Sequence, residues 1–109
     1  VSFYTVAIPH QMPAEVVDWP SKQDAIAHYQ ELWYSWDNYG TEYEKEPQGD
    51  EIFEWAGHDM NGFLAFESLG ELEAWARAYA SDSTPGGSGG HQSFRVLALV
   101  ERMIEEVQP

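Results

Sequence analysis

Between Ser21 and Gly40 the sequence carries Ala25, Ile26, Tyr29, Leu32, Trp33 and Trp36, the three-and-four spacing that lines one face of an α-helix. Ser21 is a suitable N-cap, Asp24 complements the positive helix end, and Gly40 is a natural stop. A stripe with this much aromatic surface has to be buried, so the chain must build a core. That requirement matters because the chain is otherwise strongly acidic: 19 Asp and Glu oppose 5 Lys and Arg in 109 residues, a net charge of −14. Disordered acidic chains have few aromatics and cannot offset chain entropy. Here 43% of residues are apolar and 15% aromatic, which places the body of the chain among folded proteins.

The length fits a single domain over residues 1–109, enough to bury roughly two-thirds of the unfolded surface. The absence of cysteine excludes a disulfide scaffold, a cysteine nucleophile and thiolate metal sites. The charge exceeds the magnitude of roughly 2–8 that solubility requires of a small domain. It opposes direct binding to nucleic acid or to an anionic membrane, both of which need a basic patch. Residues 1–9 carry no basic leader or small-residue cleavage site, and no apolar run approaches the roughly 18 residues of a membrane span. A cytoplasmic monomer or homodimer is the expectation.

Other segments divide by periodicity and punctuation. Residues 2–8, rich in aromatic and β-branched side chains, read as a strand ended by Pro9. The proline-rich stretch from Pro9 to Pro20 reads as an irregular connection, and residues 41–50 as a loop. Residues 51–55 and 62–67 read as two short strands joined through Gly57–Gly62 in an antiparallel hairpin. Ser68 and Glu71 have capping-box spacing, and Leu69, Leu72, Trp75, Ala76 and Tyr79 supply the buried face of a second helix. Residues 81–92 form a flexible loop by their Gly and Ser content. Residues 94–100 fit a strand buried on both faces, whereas Val96, Leu97, Val100, Met103, Ile104 and Val107 also fit a helix. The strand reading makes an α+β fold with a small antiparallel sheet and helices on one face, ferredoxin-like in its βαββαβ order. The helix reading makes βαββαα.

Catalytic motifs are sparse. His10, His28, His58 and His91 show no metal-ligand spacing, and His58-Asp59 is readable as turn chemistry. No Walker loop, calcium loop or Gly-x-Ser-x-Gly elbow is present. No cofactor is expected. The aromatics Tyr29, Trp33, Tyr34, Trp36 and Tyr39 lack the Lys and Arg neighbours of a base-stacking platform, so they read as core, with Tyr34 and Tyr39 available to an interface. The acidic stretch is more informative. Glu42, Glu44, Glu46, Asp50, Glu51, Glu54 and Asp59 are opposed there by Lys45 alone. Such a run is commonly a solvated face. On a folded domain it can also present charge to a basic groove, with a rhythm like that of a phosphate backbone.

Size, charge and the runs Asp50-Glu51-Ile52-Phe53-Glu54-Trp55 and Phe66-Glu67-Ser68-Leu69-Gly70-Glu71-Leu72 resemble the acidic phage-encoded inhibitors that imitate DNA, the anti-restriction and anti-CRISPR proteins. The resemblance covers about a quarter of the chain and implies inhibition by occupying a nucleic-acid-binding surface. The expected function is therefore a non-enzymatic acidic inhibitor of a basic protein, a nucleic-acid-binding complex or nuclease, bound through Glu42, Glu44, Glu46, Asp50, Glu51 and Glu54. The alternatives are an immunity protein or antitoxin, a small ferredoxin-like enzyme or ligand-binding dimer with His58 as base amid Trp33, Trp36 and Trp55, and plain adaptation to salt.

Overall fold

The computed structural model describes residues 2–9, 12–35, 49–54, 63–81 and 90–107. The elements are β1 (Phe3–Ala7), β2 (Glu15–Trp19), α1 (Lys22–Ser35), α2 (Glu51–Glu54), β3 (Phe63–Phe66), α3 (Leu69–Ser81) and α4 (Gly90–Val107). The strands form one antiparallel sheet in the order β2-β1-β3. Tyr4 stands opposite Asp18 on one side and Phe66 on the other, so β1 is central.

Strand alternation sorts the core into two layers. Tyr4 and Val6 of β1, Leu64 and Phe66 of β3, and the half-buried Val16 of β2 pack with Leu72, Ala76, Val96 and Val100 of α3 and α4. The intervening positions face the other way. There Ala65, with Phe3 and Trp19 at its margin, meets Ala25, Ile26 and Tyr29 of α1 and Ile52 and Phe53 of α2. The protein is thus an α+β fold in three layers, with a helix pair on each face of the sheet.

The α+β class and the small antiparallel sheet agree with the sequence reading, but the ferredoxin-like order does not. Among the described residues the element order is ββααβαα, and the helices cover both faces, not one. Three short segments account for the difference. Within the proline-rich connection, Glu15–Trp19 contains no proline and has a β-branched pair at its centre, so it can form an edge strand between Pro13 and Pro20. Residues 51–54, expected as a strand, make one helical turn. Ile52 and Phe53 are neighbours yet pack into the same cluster against one face of the sheet, where a strand would send them to opposite sides and a helical turn keeps them together. Gly49 starts that turn at φ +53°, a conformation glycine adopts at little cost. The first strand of the expected hairpin is thus replaced by a helical turn and β3 pairs with β1, while the expected turn at 57–62 lies outside the described residues.

The third segment is α4. Its buried Val96 and Val100 are one helical turn apart, and Phe94 is 64% exposed where a doubly buried strand would enclose it. Gly90–Gln92, assigned to the loop by composition, belong to this helix, while residues 82–89 lie outside the described residues. Both expected helix starts are present. Ser21 Oγ accepts the Asp24 amide at 3.1 Å, and Ser68 Oγ accepts the Glu71 amide at 3.2 Å.

Candidate interaction surface

Of the six carboxylates singled out from sequence, Glu42, Glu44 and Glu46 lie outside the described residues. Asp50 occupies the turn before α2, Glu51 begins that helix with its side chain exposed, and Glu54 ends it. All three positions therefore fall on or next to one helical turn that the buried Ile52 and Phe53 clamp to the sheet, the side chain of Glu54 lying outside the described residues. Their neighbourhood is less uniformly negative than the sequence implies. Lys22, at the start of α1, places Nζ 3.5 Å from Asp50 and 3.9 Å from Glu67. The same ammonium lies 6.0 and 5.8 Å from the ring centroids of Phe3 and Phe53. Lys22 thus ties the turn, the sheet and α1 together, although exposed pairs of this kind contribute about 0–1 kcal/mol.

The remaining basic residues within the described parts are Arg77, Arg95 and Arg102. Arg77 contacts Glu73 at 2.9 Å and Glu101 at 3.7 Å, which joins α3 to α4. Arg95 donates from Nε to the Ala14 carbonyl at 3.2 Å. Lys22, Arg77 and Arg95 are thus engaged within the molecule, and the surplus of carboxylates determines the sign of the surface. Glu15 and Asp18, both exposed on β2, belong to that surplus and were missed because the stretch read as an irregular connection. Burial, reinforced by the charge of Asp18, pushes the Tyr4 hydroxyl above its usual pKa, with a Ser2 hydrogen bond acting in the opposite direction. The signal that could have found this strand was Val16-Val17 flanked by prolines.

One arrangement resembles a hydroxyl and its base. Thr5 Oγ1 lies 2.8 Å from His28 Nδ1 and accepts the Trp19 indole N–H at 2.8 Å. Trp19 and His28 also hold their rings 4.9 Å apart. Thr5 is only 1% exposed, sealed between the sheet and α1, so a substrate cannot reach its oxygen. The group is a structural clasp joining β1, β2 and α1. A shallow groove of about 380 Å³ between α3 and α4 is lined by Arg77, Ala80, Ser81, Phe94 and Leu97. Its charged group is the guanidinium already held by Glu73 and Glu101, which leaves no acid and base facing each other across it.

Among the described residues no cluster of three His, Asp or Glu side chains could hold a metal ion, and no helix is long and apolar enough to cross a membrane. His58, Asp59, Trp36, Tyr39 and Trp55, and the side chains of Trp33 and Tyr34, lie outside the described residues. Comparison with family models, curated proteins and solved structures found no match.

Proposed function

We propose that this protein is a non-enzymatic acidic domain that binds a basic protein surface, acting as a nucleic-acid mimic toward a nucleic-acid-binding protein. The observation that carries this reading is a net charge of −14 on an ordered core whose cations Lys22, Arg77 and Arg95 are engaged internally. A folded domain with a large excess of negative charge attracts cationic clefts by long-range steering and repels nucleic acid itself. The turn holding Asp50, Glu51 and Glu54, with Glu42, Glu44 and Glu46 before it, is the proposed contact surface. The ferredoxin-like enzyme alternative loses its fold premise, since the element order differs.

The test begins with affinity capture on the immobilised chain at low salt and elution along a salt gradient. Duplex displacement is then measured on the captured protein. A captured DNA- or RNA-binding protein should release its nucleic acid when the chain is added, with inhibition weakening as salt rises. A variant carrying Glu42→Gln, Glu44→Gln, Glu46→Gln, Asp50→Asn, Glu51→Gln and Glu54→Gln should inhibit at least about tenfold less well, allowing about 1.4 kcal/mol for the lost contacts. Equal inhibition by that variant, at matched thermal stability, would sink the proposal.

A further inference from the structure

The sheet has two edges, and they differ. β3 forms one edge, yet Leu64, Ala65 and Phe66 are no more than 4% exposed. At the other edge every residue of β2 reaches solvent: Glu15 and Asp18 are exposed, and Val16, Val17 and Trp19 are half-buried. Among the described residues β2 pairs with β1 alone. In an antiparallel ladder alternate residues point their N–H and C=O groups away from the partner strand. β2 therefore offers a row of outward donors and acceptors.

That row has defined ends. The Ala14 amide donates to Gln92 Oε1 at 2.9 Å, and its carbonyl accepts from Arg95. Pro20 has no N–H to offer. The open stretch is therefore Glu15–Trp19, and two side chains of α4 hold its start in place before any partner arrives.

Charge selects the occupant. Glu15 and Asp18 are three positions apart, so they lean to opposite faces of the sheet. A second copy paired antiparallel about Val17 would bring two chains of net charge −14 edge to edge, with Glu15 and Asp18 of both copies along one seam, which mutual repulsion opposes. Acidic residues on an edge protect it from self-association. The same carboxylates favour a strand bearing Lys or Arg at two positions three apart, with β-branched residues between them against Val16 and Val17. We infer that β2 is a docking edge for an extended basic segment of a partner protein, which adds as a fourth strand. The inference rests on the basic-partner reading and gives that partner a main-chain anchor separate from the carboxylates at 42–54. Backbone bonds would supply affinity, and Glu15 and Asp18 the sequence preference.

The probe is a short synthetic Val/Thr peptide with lysines three positions apart, compared with the same composition carrying lysines two apart. The first peptide should slow amide exchange along β2 and bind about tenfold more tightly than the second, and Glu15→Lys with Asp18→Lys should abolish that preference. Val16→Pro and Val17→Pro provide a backbone control. One removes an N–H that β1 needs and lowers the unfolding midpoint; the other removes an outward N–H, keeps the fold and should lose the peptide. Peptide binding that leaves β2 amides unprotected, or that survives the fold-preserving proline and the charge reversal, overturns the inference. Concentration-dependent β2 protection in the peptide-free chain, with doubled mass, overturns it in favour of self-pairing. If basic proteins are still captured while β2 is unaffected, only the edge fails. If β2 takes up the peptide but no nucleic-acid-binding protein is captured, only the mimic reading fails.

Discussion

Gln92 shows how a single side chain can hold a segment that local sequence leaves undetermined. It is 6% exposed, accepts the Ala14 amide, and donates from Nε2 to the carbonyls of Pro9 at 2.7 Å and Met12 at 3.0 Å. The connection between β1 and β2 is thus fastened to a helix nearly eighty positions away in sequence. Gln92→Leu keeps the volume and leaves those backbone groups without their partner, which should cost about 1–3 kcal/mol. The midpoint of urea unfolding measures the loss, and faster exchange of the Ala14 amide locates it. Tyr29 provides a pH dependence. Burial pushes its hydroxyl from the ordinary 10.0 up to about 12, so the folded state resists forming tyrosinate. Its stabilising effect is complete below the unfolded value and is lost as pH rises toward the folded one. Denaturant midpoints should therefore fall between pH 10 and about 12, by an amount on the order of 2 kcal/mol, and Tyr29→Phe should lessen that fall.

Among the elements, α1 and α3 were legible because their signals are local and reinforce one another: a capping serine, an acid in the first turn and a continuous apolar stripe. Their caps make a direct prediction. Ser68→Ala should lower stability by about 1 kcal/mol through loss of the Glu71 amide's acceptor. Gly70→Ala should raise it by up to about 1 kcal/mol, since an added Cβ there has no heavy atom within 4 Å. Thermal unfolding of both variants checks the pair. β2 and α2 were not legible, because each is short and takes its conformation from what it packs against. Val16 and Val17 become a strand by pairing with Val6 and Thr5. Ile52 and Phe53 form a helical turn because both insert under the sheet. The candidate surface divides in the same way. The acidic composition of residues 42–54 is plain in sequence, whereas Lys22 beside Asp50 and the open edge at Glu15 and Asp18 arise from contacts between elements distant in the chain.

For the whole molecule, three layers around a small sheet carry a charge far from zero. Self-repulsion opposes the compact state, and the exposed ion pairs of Lys22 and Arg77 offset little of it. Raising sodium chloride from about 0.05 to about 0.5 M shortens the screening length and should raise the unfolding temperature by a few degrees. A fall would show that attractive pairs dominate the surface. Unfolding unless molar salt is present would instead mark a salt-adapted protein. What the amino-acid sequence determined by itself is what depends on near neighbours and on counting: a folded acidic domain without thiol chemistry, two capped amphipathic helices, and strands at 3–7 and 63–66. Tertiary structure alone decided the strand order, the helix pair on each face, the helical identity of residues 90–107 and the open edge at β2. Those features depend on which surfaces meet, and a short apolar segment buries its side chains equally well as strand or helix until its partner is in place.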